Sequence, residues 1–150
     1  MQCETQIVVM ENEVTSLCIP EEPYVLVVDD DQAILSVVML LLETEGYISL
    51  GFSDSPKVLP FLEELRVTGQ RLPSVVLLDL MMPVLSGYDI AAAMADNSWS
   101  VQIPIVVMTA DHRVTGAHAV PGASDWLSKP FRIEVLVDKL EAFMPSPCPQ

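Results

Sequence analysis

Four apolar stretches of this sequence run directly into side chains that can do chemistry. Tyr24 to Val28 ends at Asp29, Asp30 and Asp31, and the run that starts at Val75 ends at Asp79. Ile103 to Met108 ends at Thr109, and Trp126 to Ser128 ends at Lys129. An isolated acid where a buried strand surfaces is costly to keep ionised, so Asp79 calls for a structural partner or a chemical task. Carboxylates drawn together repel one another, and such a cluster is tolerable only if it loses charge or binds a cation. Oxygen ligands with no His or Cys among them favour a hard ion; a site with few protein ligands and room for water suits Mg2+ better than Ca2+. A lysine, a hydroxyl, a divalent cation and a lone carboxylate together make a pocket for a phosphoryl group, with its charge neutralised by Mg2+ and Lys129 and a hydrogen bond from Thr109. Carboxylates can accept phosphoryl groups covalently, and Asp79 would be that nucleophile. The structural alternative is that Asp29 to Asp31 cap a helix and Asp79 merely ends a strand.

These residues meet only if the elements that carry them share one edge. Val75 to Gly87, VVLLDLMMPVLSG, is an unbroken apolar run stopped by a single carboxylate and followed by a Met-Met-Pro turn, the pattern of a strand buried on both faces. Gln32 to Glu45 reads as a helix capped by Asp31 and ended by Gly46, and Tyr47 to Phe52 as a strand. The next helix starts near Pro56, is distorted by Pro60 and stops before Gly69. Tyr88 to Asp96 is an Ala-rich helix. Between Asp111 and Gly122, the residues Gly116, Pro121 and Gly122 leave room for two helical turns at most. Arg132 to Phe143 is an amphipathic closing helix. Five strands alternating with helices predict an α/β doubly wound parallel sheet covered on both faces by right-handed crossovers. In the five-stranded order 2-1-3-4-5 the switch point lies between the first and third strands, which here end at Asp29/Asp30 and at Asp79. The expected site is the crevice at that carboxyl edge.

The chain has 150 residues, enough for one domain with a real core. Its 21 acidic residues against 7 basic ones, with no Lys or Arg before Lys57, leave no basic patch for a phosphate backbone, so direct nucleic-acid binding is not expected. Cys3, Cys18 and Cys148 show neither disulfide nor zinc spacing. No apolar run is long enough for a membrane span and the N-terminus has no signal-peptide pattern, so a soluble cytoplasmic protein is the default expectation. Residues 1–22 carry five Glu and end in Pro20-Glu-Glu-Pro23. Ile7 to Met10 could form a short strand, but the segment reads as a flexible acidic tail ahead of a domain over residues 23–144, with a Pro-rich end at 145–150.

Four motifs in order, VLVVDDD at Val25 to Asp31, LLDLMMPVLSG at Leu77 to Gly87, IPIVVMTA at Ile103 to Ala110 and GASDWLSKPF at Gly122 to Phe131, resemble the receiver domain of two-component response regulators, a flavodoxin-like fold in its stand-alone chemotaxis form. The resemblance covers the chain from about Tyr24 to Phe143. It implies that Asp79 is phosphorylated from a phosphohistidine on a histidine kinase or phosphotransfer protein. Asp30 and Asp79 would contact Mg2+ directly, the backbone carbonyl of Met81 would add a ligand, and Asp29 would act mainly through water. Thr109 and Lys129 would hold phosphoryl oxygens. Trp126 matches the aromatic that changes rotamer with Thr109 on activation, and Lys129-Pro130 resembles the family's cis peptide. The sequence departs from the pattern in the segment from Thr109 to Lys129, which is short and broken by Gly116 and Pro121, and in the bulk of Trp126.

Only seven residues follow Phe143, so output is expected through contact with a downstream protein target unless the chain is a fragment of a longer one. Two rival readings stay open. One is an interaction domain that works without phosphorylation. The other is an aspartate-nucleophile phosphatase of the haloacid dehalogenase type, which needs a second Asp two residues after the first, where this chain has Met81.

Overall fold

The computed structural model describes residues 6–8 and 19–144. Six strands form one sheet: β1 Gln6–Val8, β2 Val25–Val28, β3 Ser49–Phe52, β4 Val75–Asp79, β5 Ile105–Thr109 and β6 Asp125–Ser128. Every pairing is parallel and the spatial order is β1-β3-β2-β4-β5-β6. Without β1 the remaining five read 2-1-3-4-5, the doubly wound order expected from the alternation of strands and helices.

Alternation along each strand sends successive side chains to opposite faces, and both faces are covered. Val25, Val27, Val75, Leu77, Val106 and Met108 pack under α1 (Gln32–Thr44) and α4 (Ile133–Glu141). Leu26, Val28, Val76, Leu78, Ile105 and Val107 pack under α2 (Val58–Thr68) and α3 (Gly87–Asp96). Each such side chain contributes roughly 1.5–3 kcal/mol when taken fully out of water, which is why β2, β4 and β5 are apolar throughout rather than alternating. Register then levels the strand ends, with Val28 opposite Leu78, Asp79 opposite Met108 and Thr109 opposite Ser128. Whatever follows each strand is therefore delivered to one edge.

The helix starts follow local chemistry. The Asp31 carboxylate accepts from the Ala33 and Ile34 N–H groups at 2.9 and 3.2 Å and caps α1. Ahead of α2 a single 3-10 turn, Ser55–Lys57, takes up Pro56, and α2 itself opens at Val58. Pro60 thus falls in the first turn of α2, where its missing N–H has no partner to lose, and the regular α-helix starts two residues after Pro56. Gly69, at φ 72°, ends α2 in the left-handed conformation.

Two stretches differ from expectation. Gln6–Val8 pairs in parallel with β3, Ile7 opposite Gly51, where a tail was expected through residue 22. A short apolar stretch supplies the backbone donors and acceptors that the outer edge of β3 would otherwise lack. Ile19 also packs against the core; the rest of residues 1–18, including Val9 and Met10, lies outside the described residues, as does 145–150. Between β5 and β6, only the 3-10 turn Ala117–Ala119 stands where up to two helical turns were expected. Gly116 and Pro121 bracket too short a segment to repay helix nucleation.

Ser49, at the start of β3, is fully buried, and its hydroxyl has no hydrogen-bond partner among the described residues. A desolvated, unpaired hydroxyl costs about 1–3 kcal/mol. Ser49→Ala should therefore raise the urea midpoint by the equivalent of about 1 kcal/mol; a lowered midpoint would mean that the hydroxyl is bonded after all.

Candidate functional site

The β2 and β3 ends are tied by the Asp29 N–H, which donates to the Phe52 carbonyl at 3.1 Å, and the Asp29 side chain is 1% exposed. Asp30 follows in the open, and Asp31 turns away to cap α1. Asp79 closes β4 at 6% exposure. Thr109 closes β5, and the Lys129 N–H donates to its carbonyl at 2.7 Å, which places the lysine one residue beyond β6. Residues up to a hundred positions apart are thereby brought to one edge. Oxygens of Asp29, Asp30 and Asp79 lie within 4.8 Å of one another. The Lys129 ammonium donates to Asp29 Oδ2 at 2.8 Å and stands 3.5 Å from Asp79 Oδ1.

The two buried carboxylates are not equivalent. Asp29 accepts from Lys129 and from the Asp31 N–H at 2.9 Å. Among the described residues, Asp79 has the Met81 N–H, at 3.4 Å, and the more distant ammonium. Burial, then the charge of Asp29, push the Asp79 carboxyl up to about 6, with Asp30 adding and Lys129 and the Met81 N–H opposing. Burial alone would pull Lys129 down, but its bond to Asp29 and the charges of Asp29 and Asp79 hold it above its ordinary value. Three carboxylates against one ammonium leave the cluster in need of further positive charge. A hard divalent cation fits that donor set, because all the side-chain donors are oxygens and one of the three acids is open to water.

Of the other residues singled out by sequence, Thr109 is buried at the same edge. Its side chain follows the alternation of Val107, toward the α2/α3 face, and its Oγ1 accepts from the Asp111 N–H at 2.9 Å. Trp126 is half-buried on that face, and the Lys139 ammonium lies 6.0 Å from its ring centroid, at the limit of a cation–π contact. The Lys129-Pro130 peptide is cis. The Met81 side chain is exposed.

Sequence reading missed the residue that sets the path of the chain after Asp79. Gly87 donates to the Leu80 carbonyl at 3.0 Å, and a Cβ on it would lie 2.3 Å from the Asp79 carbonyl oxygen. Any side chain there would push the Asp79 backbone out of line. The signal was present: Ser86 and Asp89 form a capping box around Gly87, a spacing that marks the helix start one residue ahead of Tyr88. Between Asp79 and Gly87, Val84 sits at φ 69° and 92% exposed, an uncommon conformation for a β-branched residue, in the loop that borders the site.

Comparison with known proteins bears out the fold. The family model described as the response regulator receiver domain matches residues 25–141. The phosphate regulon transcriptional regulatory protein PhoB of Pseudomonas aeruginosa is 31% identical over 124 residues, covering 80% of this chain and 51% of its own length. The chain thus spans about half the length of that curated relative. The structure of the chemotaxis protein CheY4 of Vibrio cholerae superposes with a TM-score of 0.66 at 28% identity, covering 82% of this chain and 99% of that one. The receiver domain of the sensor histidine kinase PA1611 of Pseudomonas aeruginosa, described with a magnesium ion coordinated in its active-site cleft, shares the fold at 23% identity and a TM-score of 0.65, over 81% of this chain and 97% of that one.

A raised carboxyl pKa has a thermodynamic consequence. Between the ordinary carboxylate range and about pH 6, folded Asp79 binds more protons than unfolded Asp79, so its contribution to stability falls as pH rises through that window. Asp79→Asn should therefore stabilise the metal-free chain by on the order of 2 kcal/mol at about pH 7.5, and the gain should vanish near about pH 4. Urea unfolding at both pH values measures it; an equal gain at the lower pH would mean that relief of carboxylate charge is not its source.

Proposed function

The chain belongs to the response regulator receiver domain family, and on that premise we propose that Asp79 accepts a phosphoryl group from a phosphohistidine on a histidine kinase or phosphotransfer protein. The observation that carries this reading is the gathering of Asp79 with Asp29, Asp30 and Lys129 at one sheet edge, with Asp79 the less engaged of the two buried acids. An Asp79 carboxylate oxygen attacks phosphorus, the P–N bond to the donor imidazole breaks, and the leaving nitrogen keeps the bonding pair. Lys129 offsets the charge that builds on the phosphoryl oxygens, and Thr109 offers its hydroxyl to one of them. Asp30 and Asp79 would hold Mg2+ directly, with the Met81 carbonyl, and Asp29, already engaged by Lys129, would act through water. When bound, Mg2+ supplies the charge neutralisation that three carboxylates and a phosphoryl group together require. The catalysis is confined to the chain's own phosphorylation and dephosphorylation.

Output runs through a protein target in this reading. The net charge of −14 argues against contact with a phosphate backbone. Met81 at the place of a second acid speaks against the phosphatase alternative, and the intact acidic set with Lys129 speaks against a phosphorylation-independent domain. Among the described residues no helix is long and apolar enough to cross a membrane.

A protein donor must cover surface beside Asp79 to bring its histidine in. α1 opens directly after the acidic triplet, and Ile34, Val37 and Leu40 lie exposed along one of its faces, with Val37 at 56% and Leu40 at 62%. No charged residue occurs between Gln32 and Leu42. This stripe at i, i+3 and i+6 offers the apolar contact that a helical donor needs.

A small phosphodonor such as acetyl phosphate, given with Mg2+, should label one residue, and Asp79→Asn should abolish labelling in a chain that still folds; label retained in Asp79→Asn assigns the site elsewhere. Leu40→Glu should slow transfer from a phosphorylated histidine phosphotransfer protein about tenfold, as loss of an interface anchor does, while labelling by acetyl phosphate stays at the wild-type rate. Equal slowing with both donors would place the defect in the site rather than in docking.

A further inference from the structure

The segment after β5 carries a compact polar assembly that the phosphorylation chemistry does not itself call for. The Asp111 N–H donates to Thr109 Oγ1 at 2.9 Å. The Asp111 carboxylate accepts from the Arg113 backbone N–H at 2.9 Å and from the Arg113 guanidinium at both oxygens, at 3.0, 3.2 and 2.8 Å. The Asp111 carbonyl accepts from the N–H of Val114, which is buried. One residue therefore ties the Thr109 hydroxyl, an arginine that is itself 90% exposed, and an anchor in the core. The guanidinium and backbone bonds from Arg113 pull the Asp111 carboxyl down to about 2, so the pair is ionised wherever the protein is folded near neutrality.

Thr109 has to satisfy two demands that conflict. In the structure, its side chain follows the alternation of Val107 toward α2 and α3, and its oxygen is held by the Asp111 N–H. A phosphoryl group on Asp79, whose own side chain follows Leu77 toward the opposite face, needs the same hydroxyl turned toward it. The Thr109 oxygen cannot swing without lengthening its bond to Asp111 or carrying the Asp111 backbone along, and the bidentate Arg113 clamp resists the second course. We propose that Asp111 and Arg113 act as a positioning clamp that holds Thr109 in its resting arrangement, so that the strength of the clamp sets how readily the hydroxyl reaches a phosphoryl group on Asp79. The clamp stands where up to two turns of helix were expected, and it gives that short segment a means of fixing Thr109. The inference rests on Asp79 being the phosphoacceptor.

Plain electrostatics and a clamp give opposite signs for one variant. If only charge mattered, Asp111→Ala would strengthen and Arg113→Ala would weaken the binding of an anionic phosphoryl mimic. A clamp predicts the same direction for both, because either substitution frees Thr109. The test is the affinity of beryllofluoride with Mg2+, read by fluorine NMR, in the wild type, Asp111→Ala, Arg113→Ala and Asp111→Asn, each repeated in a Thr109→Ala background. Both alanine variants should bind about threefold more tightly than wild type, within the span an exposed ion pair allows. Asp111→Asn, which keeps the backbone bond from Arg113 but loses the charge, should fall between them and wild type, and Thr109→Ala should erase the differences. Weaker binding by Arg113→Ala, unchanged affinity in both alanine variants, or a gain that survives Thr109→Ala would overturn the clamp. Absence of any wild-type binding that Asp79→Asn removes would overturn the phosphoacceptor assignment and the clamp with it.

Discussion

Repulsion between two buried carboxylates is the interaction on which the rest of the site depends. Asp29 and Asp79 are almost fully withdrawn from water, and among the described residues the one ammonium between them sits closer to Asp29. Charge that is neither solvated nor fully paired is expensive, and the expense is visible in the upward push on Asp79. The same imbalance makes the edge receptive to added positive charge and leaves one carboxylate less engaged than the other. A site relaxed by a second lysine would be more stable and less able to hold a cation.

That imbalance can be maintained only on a rigid support. Both faces of the sheet are sealed by helices, and the parallel register brings four strand ends level. The carboxylates cannot drift apart without breaking strand pairs or exposing leucines and valines, each of which outweighs what the separation would relieve. Gly87 extends this support past the strand end, since the α3 start lies against the Asp79 backbone at a separation that no side chain would permit. The parts of the edge that are free to respond are therefore loops: the Met81 to Ser86 stretch with Val84 at positive φ, and the polar turn after Thr109.

The turn after Thr109 is also where the chain departs most from a regular alternation of strands and helices. A three-residue 3-10 turn leaves little apolar surface between β5 and β6, and the local order comes instead from hydrogen bonds centred on Asp111. Beyond it, Lys139 on α4 bonds Asp125 and lies near the Trp126 ring, so the last strand and last helix are joined by polar contacts as well as by packing.

The sequence by itself determined the strands and helices and the residues that end them, because a fully buried strand must be apolar throughout and must stop where a charge begins. Val75 to Asp79 and Tyr24 to Asp31 carry that signal without reference to any other part of the chain. The doubly wound order also followed from the alternation, since right-handed crossovers admit few arrangements. Tertiary structure alone decided which carboxylate Lys129 would engage, because both candidates lie far from it along the chain and the choice turns on a difference of less than 1 Å. It likewise decided that Gln6–Val8 would join the sheet, since three residues, even with Ile and Val among them, are too few to hold a strand alone and gain an ordered place only when a vacant edge is beside them. The Asp111 and Arg113 pair was hidden for a related reason. Two residues of opposite charge in a loop are usually independent, and only the folded turn sets the Asp111 N–H against a buried threonine while the Asp111 carboxylate holds Arg113.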